Sequence, residues 1–450
     1  MDDPTAQATA GDLRRWRIRI VSAVWITYFA YYLCRYNMPM AGTRLRDVFA
    51  WGAADIGIIF TALTVMYAVG QFVNGQLADR FGARLVATTG VFGSVVMNLA
   101  VFAITFPAFS KANGPQYTLL LVSLFWGANG FFQAMGWSPM VRIMAHWYPA
   151  ENRGKVMGFV GTCYQFGGAF SWFLAFFLTG YYVQVWGGDW RAVFWVPSIL
   201  FAAVGLFFFW AVRNSPEEAG LAPMEEEAAP DGRGGHPPRR TLVQNVIGTL
   251  TNPYLWVVAG TFFLLDMNRY GFVNWLPMFM DEAAGSVEVA GFDFKHVMKV
   301  CIHPLCGGAG AIFAGWATDR FFQGRRAPVI AILLLVLGLF TMVFPYLDAG
   351  RTWLVMTVVA AIGFCTYGAH ILMVGHAAQD FGKKSGAAGA AGFIDGMGYI
   401  GASLAGWGAG EMIESRGYEC TFVVFGLAAI AGAMLVCVIW KAGPTVRAAQ

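Results

Sequence analysis

Residues 75–84 read Gly75-Gln76-Leu77-Ala78-Asp79-Arg80-Phe81-Gly82-Ala83-Arg84, and residues 315–320 read Gly315-Trp316-Ala317-Thr318-Asp319-Arg320. Each motif follows a long apolar run, and their aspartates stand 240 positions apart. Two further pairs repeat at an offset of 234, namely Arg35 with Arg269 and Gly158-Phe159 with Gly392-Phe393. A repeat of this length, about half the chain, marks a duplicated unit. It also puts Arg35 and Arg269 at equivalent places in the two copies.

Outward from the repeat, apolar runs lie near 18–41, 55–78, 85–107, 117–145, 155–181, 190–212, 253–280, 295–318, 327–347, 352–377, 386–412 and 419–440. Several reach the twenty or so residues that cross a bilayer as a helix. The 450-residue chain is 57% hydrophobic and only 12% charged, against roughly 25% charged in a soluble protein. Such a chain could not cover its surface in water. The runs are too long and too continuous for a membrane β-barrel, whose strands alternate. The expectation is an all-α integral membrane protein of twelve transmembrane helices in two pseudosymmetric six-helix bundles, 1–212 and 253–450. A polar linker at 213–252, with Glu225-Glu226-Glu227, Pro237-Pro238 and Arg239-Arg240, joins them.

Of the 30 Lys and Arg residues, 20 fall on one side of this arrangement and eight on the other. Positive residues favour the cytoplasm, so both termini are expected there, in a plasma or inner membrane. The first apolar run lacks a small-residue cleavage site and reads as a retained span. A net charge of +4 without a basic stripe excludes nucleic-acid binding. The seven cysteines are scattered through apolar runs with no CxxC spacing, which fits packing and not a metal site. No cofactor or catalytic constellation is expected, and nothing demands more than a monomer. The glycines at 307, 308, 310 and 315 sit inside a span and read as close helix packing, not a nucleotide loop.

Two positive charges remain inside spans, Arg35 and Arg269. A buried arginine is costly and faces a cavity or a partner. On equivalent helices the two would converge on one cavity, where their paired N–H donors suit a phosphate or carboxylate. The alternative is two structural salt bridges, and Asp266, one turn before Arg269, makes it serious for that residue. Tyr28, Tyr32 and Arg35 follow i, i+4, i+7 spacing and share one helix face. Tyr31 lies off that face and reads as packing. Asp79, Arg80, Arg84, Asp319 and Arg320 close spans at the cytoplasmic face, where charges can latch the halves together. The other reading is snorkelling anchors.

Tyr31-Tyr32-Leu33-Cys34-Arg35-Tyr36-Asn37, Gly130-Phe131-Phe132-Gln133-Ala134-Met135-Gly136-Trp137-Ser138-Pro139, Asn268-Arg269-Tyr270-Gly271-Phe272-Val273-Asn274-Trp275-Leu276-Pro277, and Gly375-His376 with Lys383-Lys384 resemble the organophosphate:phosphate antiporters. That branch of the major facilitator superfamily includes the bacterial glycerol-3-phosphate and hexose-6-phosphate transporters. The resemblance spans nearly the whole chain. It implies a bacterial secondary transporter, not an enzyme, that exchanges a small organophosphate for inorganic phosphate by alternating access. Arg35 and Arg269 would clamp the phosphoryl group, and Tyr32, Trp137, Tyr367 and Tyr399 would line the cavity. Where the family commonly has a lysine after the first arginine, this chain has Tyr36. A family lysine on the second helix is replaced by Gln71, a histidine by Tyr164 and an acidic residue by Pro304. The site thereby becomes less positive, and a phosphodiester, phosphonate or zwitterionic phosphoester suits it as well as a monoester.

Asp266, His303, His370, His376 and Asp395 add ionisable groups within spans. His303 and His370 read either as helix–helix hydrogen-bond partners or as proton carriers, and His376 as a gating residue. Asp266 is expected to tune Arg269. Asp395 could pair with a cationic substrate moiety or a neighbouring histidine. Two other functions stay open: a membrane sensor of organophosphates, like some relatives of the hexose-phosphate transporters, and a proton-coupled symporter of a carboxylate, phosphonate or zwitterion.

Overall fold

The computed structural model describes residues 10–222, 250–283, 294–377 and 383–441, and of the expected linker only its two ends. Among the described residues there is helix and no strand. Nine stretches are long and apolar enough to cross a membrane, and one of them, Gly392–Cys437, is long enough for two crossings. Two further spans carry too many charges to stand out by hydropathy. These are the first, which opens with Arg14, Arg15, Arg17 and Arg19, and the seventh, which holds Asp266 and Arg269. Twelve spans result.

The first span is the helices Ala10–Tyr31 and Asn37–Phe49, and the next two are Ala53–Phe81 and Ala83–Ile104. The fourth joins Pro115–Gln133 to Trp137–Trp147. The fifth runs from Ala150 through a π-helical turn at Phe177–Tyr181 to Trp186, and the sixth is Ala192–Ala211. In the second half come Pro253–Ala283, Phe294–Phe322, Ala327–Val343 and Thr352–Ile371, the last ending in a π-helical turn at Leu372–Ala377. The eleventh begins as Lys383–Leu404, and the helix Trp407–Cys437 bends at Gly417, where φ is 81°, to give the twelfth. The first span packs on the fifth and sixth, and the seventh on the eleventh and twelfth.

An asparagine beside each arginine, though not at repeat-equivalent positions, fastens its half in a similar way. Asn37 Nδ2 donates to Asn98 Oδ1 of the third span and Val193 O of the sixth. Asn268 Nδ2 donates to Thr341 Oγ1 of the ninth and Phe425 O of the twelfth. Each ties the leading helix of its half to the third and sixth members. Both asparagines are fully buried, and bonds between side chains hold helices together where lipid gives no hydrophobic drive.

The first span differs from the unbroken 18–41 helix expected of it. It unwinds after Tyr31 into a short 3₁₀ turn at Tyr32–Cys34, and Arg35 leaves helical geometry. Freed backbone at membrane depth survives only when protein groups satisfy it. Here Cys34 O accepts from Asn129 Nδ2 at 2.9 Å and Asn98 Nδ2 at 3.3 Å. The fourth span breaks likewise between Gln133 and Trp137.

Glycine brings the eighth and tenth spans into backbone contact. A Cβ on Gly310 would lie 1.9 Å from Phe364 O, and one on Gly363 2.0 Å from His303 O. The expected packing role of the glycine-rich stretch is thus met at Gly310. Lipid-facing surfaces carry exposed Leu206, Ile312, Leu339 and Val438, with Trp186, Trp210 and Trp353 also exposed.

Contacts between the halves gather at the span ends away from the N terminus. There Arg46 Nη1 meets Glu282 Oε1 at 2.5 Å and Thr43 Oγ1 donates to Asp281 Oδ2 at 2.7 Å. Ala54 N donates to Glu414 Oε1. Deeper in, Thr61 Oγ1 donates to Ser403 O and accepts from Trp407 N.

Candidate substrate site

Arg35 stands at the break in the first span and lies beside Tyr67, whose ring packs on Tyr399 of the second half. Arg35 is 6% exposed, and its Nε donates to Gln133 Oε1 at 3.0 Å. Its guanidinium lies over the rings of Tyr32, at 4.9 Å, and Tyr67, at 4.7 Å. Nη2 is buried with no acceptor. A buried donor without a partner carries its full desolvation cost, so this group is open to an acceptor brought by a ligand or solvent.

Arg269 occupies the matching place in the second half but is engaged differently. Asp266, fully buried, forms an ion pair with it, Oδ2 accepting from Nη2 at 3.0 Å and Oδ1 lying 2.8 Å from Nε. His370 Nε2 lies 3.0 Å from Nη1. A guanidinium cannot accept, so this imidazole presents a lone pair to it. The Arg269 side chain keeps 13% exposure. Arg269 is thus engaged in a salt bridge with Asp266. Arg35 has no carboxylate among its described partners.

Aromatic rings connect the two arginines. Tyr28 packs on Trp137 at 4.9 Å, Trp137 meets Tyr164 at 6.5 Å and Tyr164 faces Tyr367 at 6.4 Å, a chain that crosses from the first half to the second. On another wall Tyr67 stacks against Tyr399 at 4.6 Å, and Tyr399 lies 5.9 Å from Tyr270. The sequence-selected Tyr28, Tyr32, Trp137, Tyr164, Tyr367 and Tyr399 are thus brought together around the arginines. Tyr31 does pack, with its hydroxyl on Ala87 O at 2.8 Å.

Of the ionisable extras, His370 joins the Arg269 pair. His303 is fully buried between Phe272 and Trp172, ring centroids 5.8 and 6.2 Å away, with both nitrogens unpartnered. It therefore makes no helix–helix hydrogen bond here. Asp395 Oδ2 accepts from Gln71 Nε2 at 3.3 Å, a link between the halves. His376 falls in the π-helical turn at Leu372–Ala377, and its side chain lies outside the described residues.

The loop charges behave less like a seam latch than expected. Arg84 is held within its own half, its backbone N on Asn214 Oδ1 at 2.8 Å and its guanidinium on Phe209 O. It closes the third span against the end of the sixth. Arg80 lies over the neighbouring Phe81 ring at 5.3 Å. Asp319 and Arg320 are exposed, the Asp79 side chain lies outside the described residues, and no ion pair among the described residues joins the two motifs.

Sequence reasoning assigned no role to Gln133 or Tyr67, which hold Arg35. Gln133 stood inside the quoted fourth-span motif. The replacement of a family lysine by Gln71 gives no sign of its bond to Asp395.

A family model described as Major Facilitator Superfamily matches residues 24–406. The chain belongs to that superfamily. The relatives it matches include transporters and a membrane sensor, and it is not an enzyme. A glycerol-3-phosphate transporter of Bacillus subtilis is 28% identical over 96% of this chain and 94% of its own length. The membrane sensor protein UhpC of Escherichia coli is 27% identical over 94% of this chain and 92% of its own. Among solved structures, a bacterial homolog of the human lysosomal transporter Spinster, inward-facing and unoccupied, superposes with a TM-score of 0.65. It covers 95% of this chain and 96% of that one at 14% identity, which speaks for the fold alone.

Proposed function

We propose that this superfamily member carries a small organic phosphate ester, of the sugar phosphate or glycerol phosphate class, in exchange for inorganic phosphate. The observation that carries the reading is the buried Nη2 of Arg35, which has no acceptor among the described residues, on a guanidinium over Tyr67, itself packed on Tyr399 of the second half. A phosphoryl group offers acceptors to both guanidiniums. Arg269 has five N–H donors; Nη2 bonds Asp266, Nη1 bonds His370, Nε lies against Asp266 Oδ1, and one N–H on each terminal nitrogen remains for an anion. An oxyanion bridging the first and seventh spans would draw the halves together, and alternating access would follow from opening one end as the other closes.

The finer assignments belong to the same proposal. Residues 1–212 and 253–450 act as two rocking units joined by 213–252. Tyr28, Tyr32, Trp137, Tyr164, Tyr367 and Tyr399 line the substrate path. The Asp79, Arg80, Arg84, Asp319 and Arg320 loops bias the cytoplasmic opening, Arg84 through its hold on the sixth span. The protein works as a monomer in a bacterial inner membrane with both termini cytoplasmic, as the 20 basic residues on that side favour. The similarity to a membrane sensor supports one competing reading, that the same site binds organophosphate and signals.

The test is uptake of labelled phosphate into liposomes loaded with unlabelled phosphate and bearing purified protein, beside Arg35→Lys and Arg269→Lys. Uptake that needs internal phosphate and both arginines is expected, because lysine keeps the charge but loses the planar fork. Full exchange in either variant would refute the clamp. Phosphate binding without any exchange would favour the sensor.

A further inference from the structure

The charges around the seam do not describe a site for a simple dianion. Arg269 is already matched by Asp266 at 2.8 and 3.0 Å, so that pair contributes little net charge. Arg35 is the remaining cation. Against it stands a second carboxylate, Asp395, on the eleventh span. Its one hydrogen-bond donor among the described residues is the neutral amide of Gln71, at 3.3 Å. An ionised carboxylate has room for about four donors, and Asp395 is only partly buried, so the rest of its acceptor capacity is left open.

The surroundings of Asp395 suit a cation. Tyr399, one helical turn further along the same face, presents its ring within a stack formed with Tyr67 at 4.6 Å and Tyr270 at 5.9 Å. A carboxylate beside tyrosine rings is an ammonium site by both charge and cation–π attraction. The Tyr67 ring also lies under Arg35 at 4.7 Å, so the cation-seeking and anion-seeking ends share one aromatic wall. Gly398 lets Asp266 lie against the eleventh span, since a Cβ there would fall 2.8 Å from Asp266 Oδ2. Asp395 thus stands near a carboxylate already taken by Arg269, and that guanidinium has no second carboxylate to gain from it.

We infer that the site selects organophosphates or phosphonates carrying an ammonium group, with the phosphoryl on Arg35 and the amine on Asp395. The inference rests on the phosphoryl reading of the arginines. Asp395 becomes the specificity-determining residue. Gln71 positions it while contributing no charge, where a lysine would have neutralised it.

Full-length protein in nanodiscs is titrated with inorganic phosphate, n-propyl phosphate and 2-aminoethyl phosphate, the last two alike in length. The wild type should prefer the amine by about tenfold or more, as a charge-assisted hydrogen bond gives. Asp395→Asn should bring the two esters within about twofold, and Asp395→Glu should retain the preference. Equal affinities for the two esters in the wild type would overturn the inference while leaving the phosphoryl site intact. So would a preference that survives in Asp395→Asn. If none of the three compounds binds, the phosphoryl reading itself falls, and this inference with it. The wild-type comparison requires no variant to fold.

Discussion

Replacing Asp266 by Asn separates an arginine that binds substrate from one that only holds the fold. Asp266 is fully buried and grips Arg269 through two contacts of 2.8 and 3.0 Å. Removing one partner of a buried ion pair costs about 3–5 kcal/mol. The lower end applies because the guanidinium keeps some exposure and its contact with His370. The unliganded variant should therefore be less stable. Binding should move the other way. An oxyanion on the two remaining N–H groups would sit roughly 6 Å from the carboxylate across the guanidinium, and at an effective dielectric near 20 their repulsion amounts to ~2.8 kcal/mol. Asn removes it. Titration of the variant in nanodiscs with inorganic phosphate should show affinity increased by about ten- to 100-fold, and thermal unfolding should show a larger phosphate-dependent shift than the wild type. Turnover should fall, because binding gained in the ground state does not lower the barrier to release. A folded variant whose phosphate affinity is unchanged or weaker would refute the reasoning and assign Arg269 to structure alone.

Gln133→Leu removes the acceptor of Arg35 Nε and the donor to Ser94 Oγ. Unsatisfied buried groups cost about 1–3 kcal/mol each, so a lower unfolding temperature and weaker phosphate binding are expected in the same preparation. Glu282→Gln breaks the half-exposed pair with Arg46 at the end where contacts between the halves gather. Such pairs contribute up to about 1 kcal/mol, so labelling of a Thr43→Cys reporter by an impermeant maleimide should rise, by no more than roughly fivefold. Gly310→Ala would force the eighth span off Phe364 O and cost about 1–3 kcal/mol or more. Gly315→Ala, with nothing within 4 Å of its Cβ, should leave the elution profile and melting unchanged.

Much of the architecture was legible because lipid simplifies the code: apolar runs of sufficient length are spans, and charges inside them are exceptions. Arg35 and Arg269 could be selected for that reason alone, and the repeat paired them. The unwinding at Tyr32–Cys34 left no such mark. No proline or glycine interrupts Tyr31-Tyr32-Leu33-Cys34-Arg35, and the break is held by amides of Asn98, Asn129 and Gln133, from the third and fourth spans, gathered on one carbonyl. That compensation is tertiary and invisible along the helix itself. Arg84 shows a related limit. Its motif announces a charge at a membrane face, but which carbonyl it reaches depends on where the sixth span ends. The link from Gln71 to Asp395 spans 324 residues and joins a neutral to an acidic side chain, a pairing that no spacing rule anticipates.

The duplicated halves agree in backbone plan and disagree in charge, and the disagreement bears on coupling. Strict exchange requires that the empty carrier reorient slowly. Two bare guanidiniums would ensure this, since carrying each unpaired through the closed state incurs desolvation. Here one of them travels with its own carboxylate, so reorientation of the empty carrier is opposed mainly by Arg35. Phosphate should therefore leave preloaded liposomes into phosphate-free medium at a measurable rate, slower than exchange. Asp266→Asn restores a second bare cation and should lower the ratio of net efflux to exchange. A ratio unchanged in that variant would mean that some other step, such as separation of the Arg46–Glu282 end, limits the empty carrier.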